Sequence, residues 1–311
     1  MEFTVHKNYI YVIGILLALL WGCNKRINSP SEQKVADSLR IDLPRFGSDV
    51  SFEAITWNIQ NFPRLGDQTI LDIVEIINDV DADLFALQEI EDTVSFRRLL
   101  SLLPGYDGLY SDDVYSGGEY QKTAVIYKTD MIHISGKQML FTDDSYSFPR
   151  PPLRVYVQAF HHEKWFDFTL IVLHLKASGG AENEARRRSA CNKLKNYLDN
   201  EIAISSDKDF MVMGDWNDEL NDPPADNVFQ VFLDDPLNYI FLTQGLLNDP
   251  IQNATYIGSF NSIIDQVLIS KEVLDEYTNG YTQVIKIDEF FSAYTYEVSD
   301  HRPVGVKFFV F

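Results

Sequence analysis

Short hydrophobic runs that end in polar side chains alternate along this chain with segments of helical periodicity. Residues 52–57 alternate as a β-strand does and end at Asn58. Residues 70–77 place their apolar side chains on one helical face, and residues 84–87 form a second apolar run that ends at Glu89. A strand, a helix and a strand in close succession predict an α/β fold.

The same pattern continues to the end of the chain. Gly214 ends an apolar run at 211–214, and the region from 219 to 258 is irregular and contains four prolines. Long loops in compact domains are often functional, so this region is a candidate specificity element. Further strands and one long helix are predicted at 122–127, 132–141, 153–160, 166–173, 182–203 (the helix), 262–269 and 304–311.

The run at 211–214 delivers Asp215 and Asn217 directly after its glycine. Two residues apart on extended backbone, these side chains point the same way. A carboxylate can hold or deprotonate a water molecule, and a carboxamide can donate to a phosphoryl oxygen without adding negative charge. Because active sites of α/β sheets collect at the carboxyl ends of strands, the pair is a catalytic candidate. An ordinary Asp/Asn turn is the alternative.

Similar polar residues follow several other apolar runs. Taken singly, each has an ordinary interpretation: Glu89 as a surface carboxylate, for example, or His174 as a core histidine. Their joint occurrence favours one shared site. The set comprises Asn58, Glu89, His174, Asp215, Asn217, Asp265, Asp300 and His301.

The chemistry that best fits this set is metal-assisted phosphoester hydrolysis. A hard cation such as Mg²⁺ needs few protein carboxylates, and Glu89 can supply one. The chain lacks the Cys/His clusters of a zinc site, a Gly-rich loop ending in Gly-Lys-Ser/Thr and a Gly-x-Ser-x-Gly motif. These absences argue against a zinc enzyme, a nucleotide-driven phosphotransferase and an α/β-hydrolase.

The charge composition limits the kinds of molecule that we expect this protein to bind. The 311 residues include 46 acidic and 26 basic side chains, for a net charge of −20. Such a chain is a poor passive nucleic-acid binder, which needs a basic surface, but an enzyme can still meet phosphate through a metal ion. The two cysteines, Cys23 and Cys191, cannot support a disulfide framework. No protein partner is indicated.

The amino terminus has the features of an export signal. The apolar run at 9–20 is shorter than the roughly 20 residues of a membrane span, and it leads into LWGC, which resembles a bacterial lipobox. We therefore predict a signal peptide at 1–22, a lipid on Cys23, a tether at 23–50 and a folded domain at 51–311. This organisation predicts a cell-envelope lipoprotein on the periplasmic or cell-surface side. An uncleaved amino-terminal anchor is the alternative.

Six motifs, in order, resemble those of the endonuclease/exonuclease/phosphatase superfamily, whose fold is that of DNase I. The resemblance covers residues 52–311 and implies a four-layer α/β sandwich, in which two packed mixed β-sheets are flanked by helices. The motifs are WNIQN at 57–61, QEI at 88–90, HLK at 174–176, GDWN at 214–217, IDQV at 264–267 and SDHRP at 299–303.

The resemblance implies a metal site and a water-activating group. Glu89 corresponds to the principal metal ligand, Asn58 assists at the metal or the phosphate, and Asp300 is an auxiliary metal-site acid. Asp215 corresponds to the group that orients or deprotonates the attacking water. Asn217 corresponds to a hydrogen-bond donor in the transition state.

It also implies the groups that hold the substrate. His301 corresponds to the histidine that contacts the scissile phosphate, and Asp265 holds the other ring nitrogen. His174 matches a second histidine found in the DNase I and sphingomyelinase branches, and Arg150 their phosphate-clamping arginine. In the DNase I branch a glutamate pairs with that second histidine; here Gln121 or Glu119 is nearest, so its partner stays open.

The sequence therefore favours a phosphodiester hydrolase dependent on Mg²⁺, with Mn²⁺ or Ca²⁺ as alternatives and one or two metal ions. A lipid-anchored DNase I-like nuclease acting on nucleic acid is the leading interpretation. A phosphatase or phosphodiesterase for a lipid or small phosphate, of the sphingomyelin or inositol-phosphate type, is the alternative. A non-catalytic surface binding protein on the same scaffold is a third.

Overall fold

The computed structural model describes residues 40–112 and 120–311. The predicted signal peptide, the lipidation site Cys23, residues 23–39 of the predicted tether and Glu119 lie outside these residues.

Twelve strands occur in the described residues, and each carries its number in chain order. They are β1 (Phe52–Phe62), β2 (Leu84–Ile90), β3 (Tyr106–Tyr110), β4 (Lys122–Lys128), β5 (Ile132–Met139), β6 (Leu153–His161), β7 (Lys164–His174), β8 (Phe210–Asp215), β9 (Tyr239–Phe241), β10 (Asp265–Ser270), β11 (Tyr281–Val284) and β12 (Val304–Phe308).

Helices connect these strands. The three longest are α1 (Asp67–Val80), α2 (Thr93–Ser101) and α3 (Ala181–Ile204), and two short ones are α4 (Gln230–Leu233) and α5 (Tyr294–Glu297). Short 3₁₀ helices lie at Leu242–Asn248, Lys271–Leu274 and Ile287–Glu289. None of the helices within residues 40–112 and 120–311 has the length and apolar character that a membrane span requires.

The strands form two six-stranded mixed sheets. The first has the order β11-β12-β1-β2-β4-β3, and the second β5-β6-β7-β8-β10-β9. Each sheet contains one parallel pair, β1 with β2 and β7 with β8, among otherwise antiparallel neighbours. Both parallel pairs are central, so their carboxyl ends meet in the middle of the molecule.

Alternation along β1 explains why two sheets pack together with helices outside them. Phe52 and Ala54 join an apolar cluster with residues of the second sheet, whereas Ile55 and Trp57 face a cluster that includes α1 and α2. A third cluster packs α3 onto the outer face of the second sheet. The result is a four-layer α/β sandwich of the DNase I type, which confirms the predicted fold.

Some local features differ from the sequence-based expectations. The short, half-exposed strands β3 and β11 were not predicted, and the region from 219 to 258 contains α4, β9 and a 3₁₀ helix rather than irregular structure alone. Ahead of β1, Ile41, Leu43 and Phe46 are buried in the same cluster as α1. The described segment that precedes Ser51 therefore packs against the domain.

Candidate active site

The two parallel strand pairs bring four of the predicted site residues together. Asn58 and Glu89 lie near the carboxyl ends of β1 and β2, and His174 and Asp215 face each other in register on β7 and β8. The Asn58 carboxamide Nδ2 donates to Glu89 Oε1 (3.1 Å) and to Asp215 Oδ2 (3.0 Å). One amide therefore joins the metal-site side and the water-activating side of the predicted centre across the two sheets.

Unusual backbone at the end of β1 and in β2 shapes this side of the site. Gln60, Asn61 and Glu89 all have positive φ angles, 35°, 49° and 66°. Such conformations cost about 1–3 kcal/mol each and collect at functional sites. Here they let the Gln60 N–H donate to Asn58 Oδ1 and the Asn61 N–H donate to Glu89 Oε2, both at 2.9 Å. The backbone thereby holds both side chains in place.

Gly214 allows β8 to approach β7 closely enough to place Asp215. A Cβ atom at this position would lie 2.0 Å from the Leu173 carbonyl oxygen. On the other side, the Asn217 N–H donates to Asp215 Oδ1 (2.9 Å), and the Asn217 carboxamide donates to the Leu175 carbonyl (3.2 Å). The glycine in the GDWN motif is thus required by packing.

A buried Asp–His pair faces Asp215. Asp265 opens β10 in register with Asp215, and its Oδ2 lies 2.8 Å from His301 Nδ1. His301 Nε2 lies 3.9 Å from Asp215 Oδ2. Burial lowers the pKa of His301, but the Asp265 and Asp215 carboxylates outweigh it and raise that pKa to about 10. His301 is therefore an imidazolium that can donate from Nε2 into the site.

Two hydroxyl groups that the sequence analysis did not single out support this pair. The Thr255 hydroxyl accepts from the Asp265 N–H (3.1 Å). The Ser299 hydroxyl accepts from the His301 N–H (3.0 Å) and donates to the Asn58 carbonyl (2.6 Å). Ser299 belongs to the SDHRP motif, so its position was a usable signal; Thr255 carries no local signal.

Asp215 is a carboxylate tuned toward neutral pH. Burial raises its pKa, the His301 charge lowers it, and the Asp265 and Glu89 carboxylates raise it, which brings it to about 7. A general base works best when its pKa lies near the working pH. The environment of Asp215 is therefore suited to taking a proton from water.

His174 differs from His301 because it has no acidic partner on its Nδ1 atom. Its Nε2 lies 3.5 Å from Asp215 Oδ2, while its buried Nδ1 has no hydrogen-bond partner among the described residues. Burial, then the charges of Arg150 and His301, lower the pKa of His174 well below its usual value. Gln121 instead contacts Asn61 and Arg150. His174 is therefore a neutral imidazole.

A cleft of about 410 Å³ opens onto these groups. It brings together the predicted Glu89, His174, Asp215, Asn217, Asp300 and His301. Tyr256 and Phe260, from the long region before β10, form an unpredicted aromatic wall, and the Tyr256 ring lies 5.1 Å from that of His301. Arg150 lines an adjoining pocket instead, where it donates to the Leu175 carbonyl (3.1 Å).

The acidic side chains of the cleft suit a hard divalent cation. No lysine or arginine of residues 40–112 and 120–311 forms an ion pair with Glu89, Asp215 or Asp300. Burial and the Glu89 carboxylate raise the pKa of Asp300, although His301 opposes this. Asp215, Asp265 and His301 also offer ligand atoms within 4.8 Å of one another, but His301 Nδ1 is already bonded to Asp265. Glu89 and Asp300 add further carboxylate oxygens to the cleft, the ligand type that hard cations prefer.

A model of the endonuclease/exonuclease/phosphatase family matches residues 55–301. The chain belongs to this family, whose members are phosphoesterases and generally depend on divalent metal ions. No curated protein sequence matches the chain.

Solved structures share the fold at low sequence identity. A mannosyl-6-phosphatase of Bacteroides thetaiotaomicron is 17% identical, with a TM-score of 0.59, over 82% of this chain and 98% of its own. The human nocturnin catalytic domain with bound sulfate is 21% identical (TM-score 0.59; 83% and 93%). D. rerio TDP2 with a single-stranded DNA product is 15% identical (TM-score 0.57; 84% and 99%). These similarities establish the fold alone.

Proposed function

We propose that this protein is a metal-dependent phosphodiester hydrolase, and specifically a DNase I-like nuclease. The observation that carries the proposal is the geometry at one buried carboxylate: Asp215 Oδ2 lies 3.9 Å from His301 Nε2 and 3.5 Å from His174 Nε2, and it accepts a hydrogen bond from Asn58. His301 can neutralise a phosphoryl oxygen by donating to it, and His174 can donate without repelling a cation. This arrangement matches the needs of in-line attack by water on a phosphodiester.

The residues divide the reaction among them as follows. Asp215 accepts a proton from the attacking water as its oxygen bonds to phosphorus and the bond from phosphorus to the leaving oxygen breaks; the leaving oxygen then takes a proton from solvent. Asp265 keeps the His301 ring oriented through Nδ1 while Nε2 faces the phosphate. Asn217 supplies a further donor at the cleft wall. Mg²⁺ held by Glu89 and Asp300, with Asn58 beside them, would stabilise the negative charge that develops on the phosphoryl oxygens; Mn²⁺ or Ca²⁺ are alternatives.

A phosphatase or phosphodiesterase for a small or lipid phosphate is the second candidate. It is supported by the structural similarity to a mannosyl-6-phosphatase and by the aromatic wall of Tyr256 and Phe260, which could pack against the non-phosphate part of a substrate. The acidic chain also favours a small substrate over a long polyanion.

The test is turnover by the full chain on plasmid DNA, RNA, sphingomyelin and inositol phosphates, with and without Mg²⁺. Metal-dependent nicking of DNA that is lost in Asp215→Asn supports the nuclease. Hydrolysis of the lipid or the inositol phosphates alone would replace it by the second candidate. Tight binding without turnover of any substrate would instead indicate a surface binding protein on this scaffold.

We also propose that the enzyme is exported and anchored to a membrane by lipid on Cys23. This proposal rests on the sequence of residues 1–23 and is independent of the site. Metabolic labelling with a radioactive fatty acid tests it. Label should enter the wild-type chain and be lost in Cys23→Ala; label that persists in the variant, or that never enters the wild type, would contradict it.

A further inference from the structure

A second pocket, of about 360 Å³, adjoins the catalytic cleft. The two share Gln121, so a substrate in the cleft can extend into this pocket. Three cationic side chains line it, from the loop before β6, the segment after β7 and helix α3: Arg150, Lys176 and Arg186. We call it the cationic pocket. Its remaining lining residues are Glu91, Tyr120 and Pro149.

The cations of this pocket donate to neutral oxygens. Arg150 donates to the Leu175 carbonyl and to Gln121. Lys176 Nζ donates to the Ala177 carbonyl at 2.9 Å. Arg186 donates to the carbonyls of Tyr146 (2.7 Å) and Ser145 (2.9 Å). Within the part of the chain that the structure describes, none of the three cations forms an ion pair with a carboxylate.

The next two arginines of α3 differ from Arg186, because each of them pairs with a carboxylate. Arg187 pairs with Asp218 at 2.7 Å, and Arg188 pairs with Glu184 at 2.7 Å. The chain carries a charge of −20, so carboxylates are abundant. A pocket with three cations that pair with no carboxylate of residues 40–112 and 120–311 is therefore notable.

The three cations of the pocket are also held close together despite the electrostatic repulsion between them. Buried Arg187 donates to the carbonyls of Lys176 and Ser178, both at 2.9 Å, and so fixes the segment that separates the cleft from the pocket. Burial, then Arg186 and Arg150, lower the pKa of Lys176. Like charges held together in this way are relieved when an anion binds between them.

We propose that the cationic pocket binds a second phosphate group of the substrate, next to the phosphate that is hydrolysed in the cleft. This inference rests on the proposed function, because it assigns the substrate of that site. It predicts that substrates with two phosphates are preferred over those with one. The second phosphate could belong to an oligonucleotide or to a small bisphosphate, which share this chemistry.

Matched substrates that differ by one phosphate test the proposal. Dinucleoside monophosphates with and without a 5′- or 3′-terminal phosphate form one arm, and inositol bisphosphate against monophosphate forms the other. In at least one of the two arms, the wild type should have a kcat/KM about tenfold higher for the substrate with two phosphates than for the substrate with one. This is the order of magnitude expected of a charge-assisted hydrogen bond. Arg186→Gln and Lys176→Gln should each remove most of this preference, while Arg188→Gln, on the same helix but outside the pocket, should keep it.

Equilibrium binding of the same pairs to the full chain in EDTA needs no turnover and separates the two proposals. If binding prefers the second phosphate and Arg186→Gln abolishes that preference, the pocket is supported even when hydrolysis fails. If the wild type shows no preference in either arm by kinetics and binding, or if Arg186→Gln and Lys176→Gln both keep it, the cationic pocket is not a phosphate site.

Discussion

Buried carboxylates occur at both ends of the central strands, and in the described residues those at the carboxyl ends line the candidate active site. At the amino-terminal ends of β1 and β2, Glu53 lies 3.1 Å from Lys307 and Asp83 lies 3.0 Å from Lys128. At the carboxyl ends, Asp215 and Glu89 face amides and histidines instead. Within residues 40–112 and 120–311, the two ends therefore differ not in burial but in whether a lysine or arginine pairs with the buried carboxylate.

Similar pKa values make this contrast sharper. Burial and the Asp83 carboxylate raise the pKa of Glu53 to about 7, despite Ser51 and Lys307. The pKa of Asp215 is also about 7. The two groups differ in their surroundings, because Glu53 is enclosed by the fold and Asp215 lines an open cleft. Changes at each end can test whether the cluster around Asp215 serves catalysis and the cluster around Glu53 serves stability.

The largest effect is expected from Asp215→Asn. Loss of the general base should lower kcat by about 10³-fold, within the range known for such groups. The domain should still fold, and the free energy of unfolding should fall by only about 1 kcal/mol, because the carboxamide can accept only one of the two hydrogen bonds that Asp215 accepts from Asn58 and the Asn217 N–H. Kinetics and chemical denaturation of the same preparation measure both quantities. Retained turnover would exclude Asp215 as the base.

Lys307→Met should lower the free energy of unfolding and leave kcat unchanged, the opposite of Asp215→Asn. It leaves the Glu53 carboxyl buried without its cation, and removing one partner of a buried pair costs about 3 kcal/mol. Denaturant unfolding at neutral pH measures the loss, and kcat of the folded fraction should stay at the wild-type value. A loss of kcat without a loss of stability would show that the two clusters are not separate in function.

A divalent cation should stabilise the protein through the cleft cluster only. Mg²⁺ at about ten times its Kd should add about 1.4 kcal/mol to the free energy of unfolding by mass action. Thermal unfolding with and without Mg²⁺ measures this, and Glu89→Gln should abolish the increase, whereas the Lys307→Met variant should retain it. An equal response in Glu89→Gln would place the cation elsewhere.

The smallest effect concerns pH. Because folding raises the pKa of Glu53 from 4.5 to about 7, its protonated form favours the folded state. That stabilisation is fully present below pH 4.5 and is lost as pH rises toward 7. Between pH 6 and pH 7 the wild type should therefore lose about 1 kcal/mol more stability than Glu53→Gln does. Urea unfolding measured across this pH range tests the prediction. Parallel curves of the free energy of unfolding against pH for the two proteins would contradict it.

The contrast also explains how much the sequence could predict. The strand ends and their polar residues follow from alternation and from short motifs, so the fold and the group around Asn58, Glu89 and Asp215 were accessible. The short strands β3 and β11 were missed because they are half exposed and lack a strong apolar pattern.

The directions and hydrogen-bond partners of individual side chains are harder to predict from the sequence. Arg150 was expected at the substrate phosphate, and its placement in the adjoining pocket depends on Gln121 and the Leu175 carbonyl, which are distant in sequence. Three consecutive arginines on a helix are typical of a solvated face, yet Arg187 of α3 is buried because its guanidinium donates to two loop carbonyls and to Asp218. Such partners come from tertiary packing, which periodicity does not encode.

The hydrogen bonds that close the site also join distant parts of the chain. Asn58 contacts Asp215, 157 positions later, and its carbonyl accepts from Ser299, 241 positions later. Contacts of such separation form late in folding, because the loop entropy must be overcome first. A nascent chain therefore lacks a complete site until residues 299–301 have been synthesised and packed against β1. Recovery of activity during refolding should accordingly report completion of the whole domain, and this order would protect the cell from a hydrolase that acts before it is fully folded.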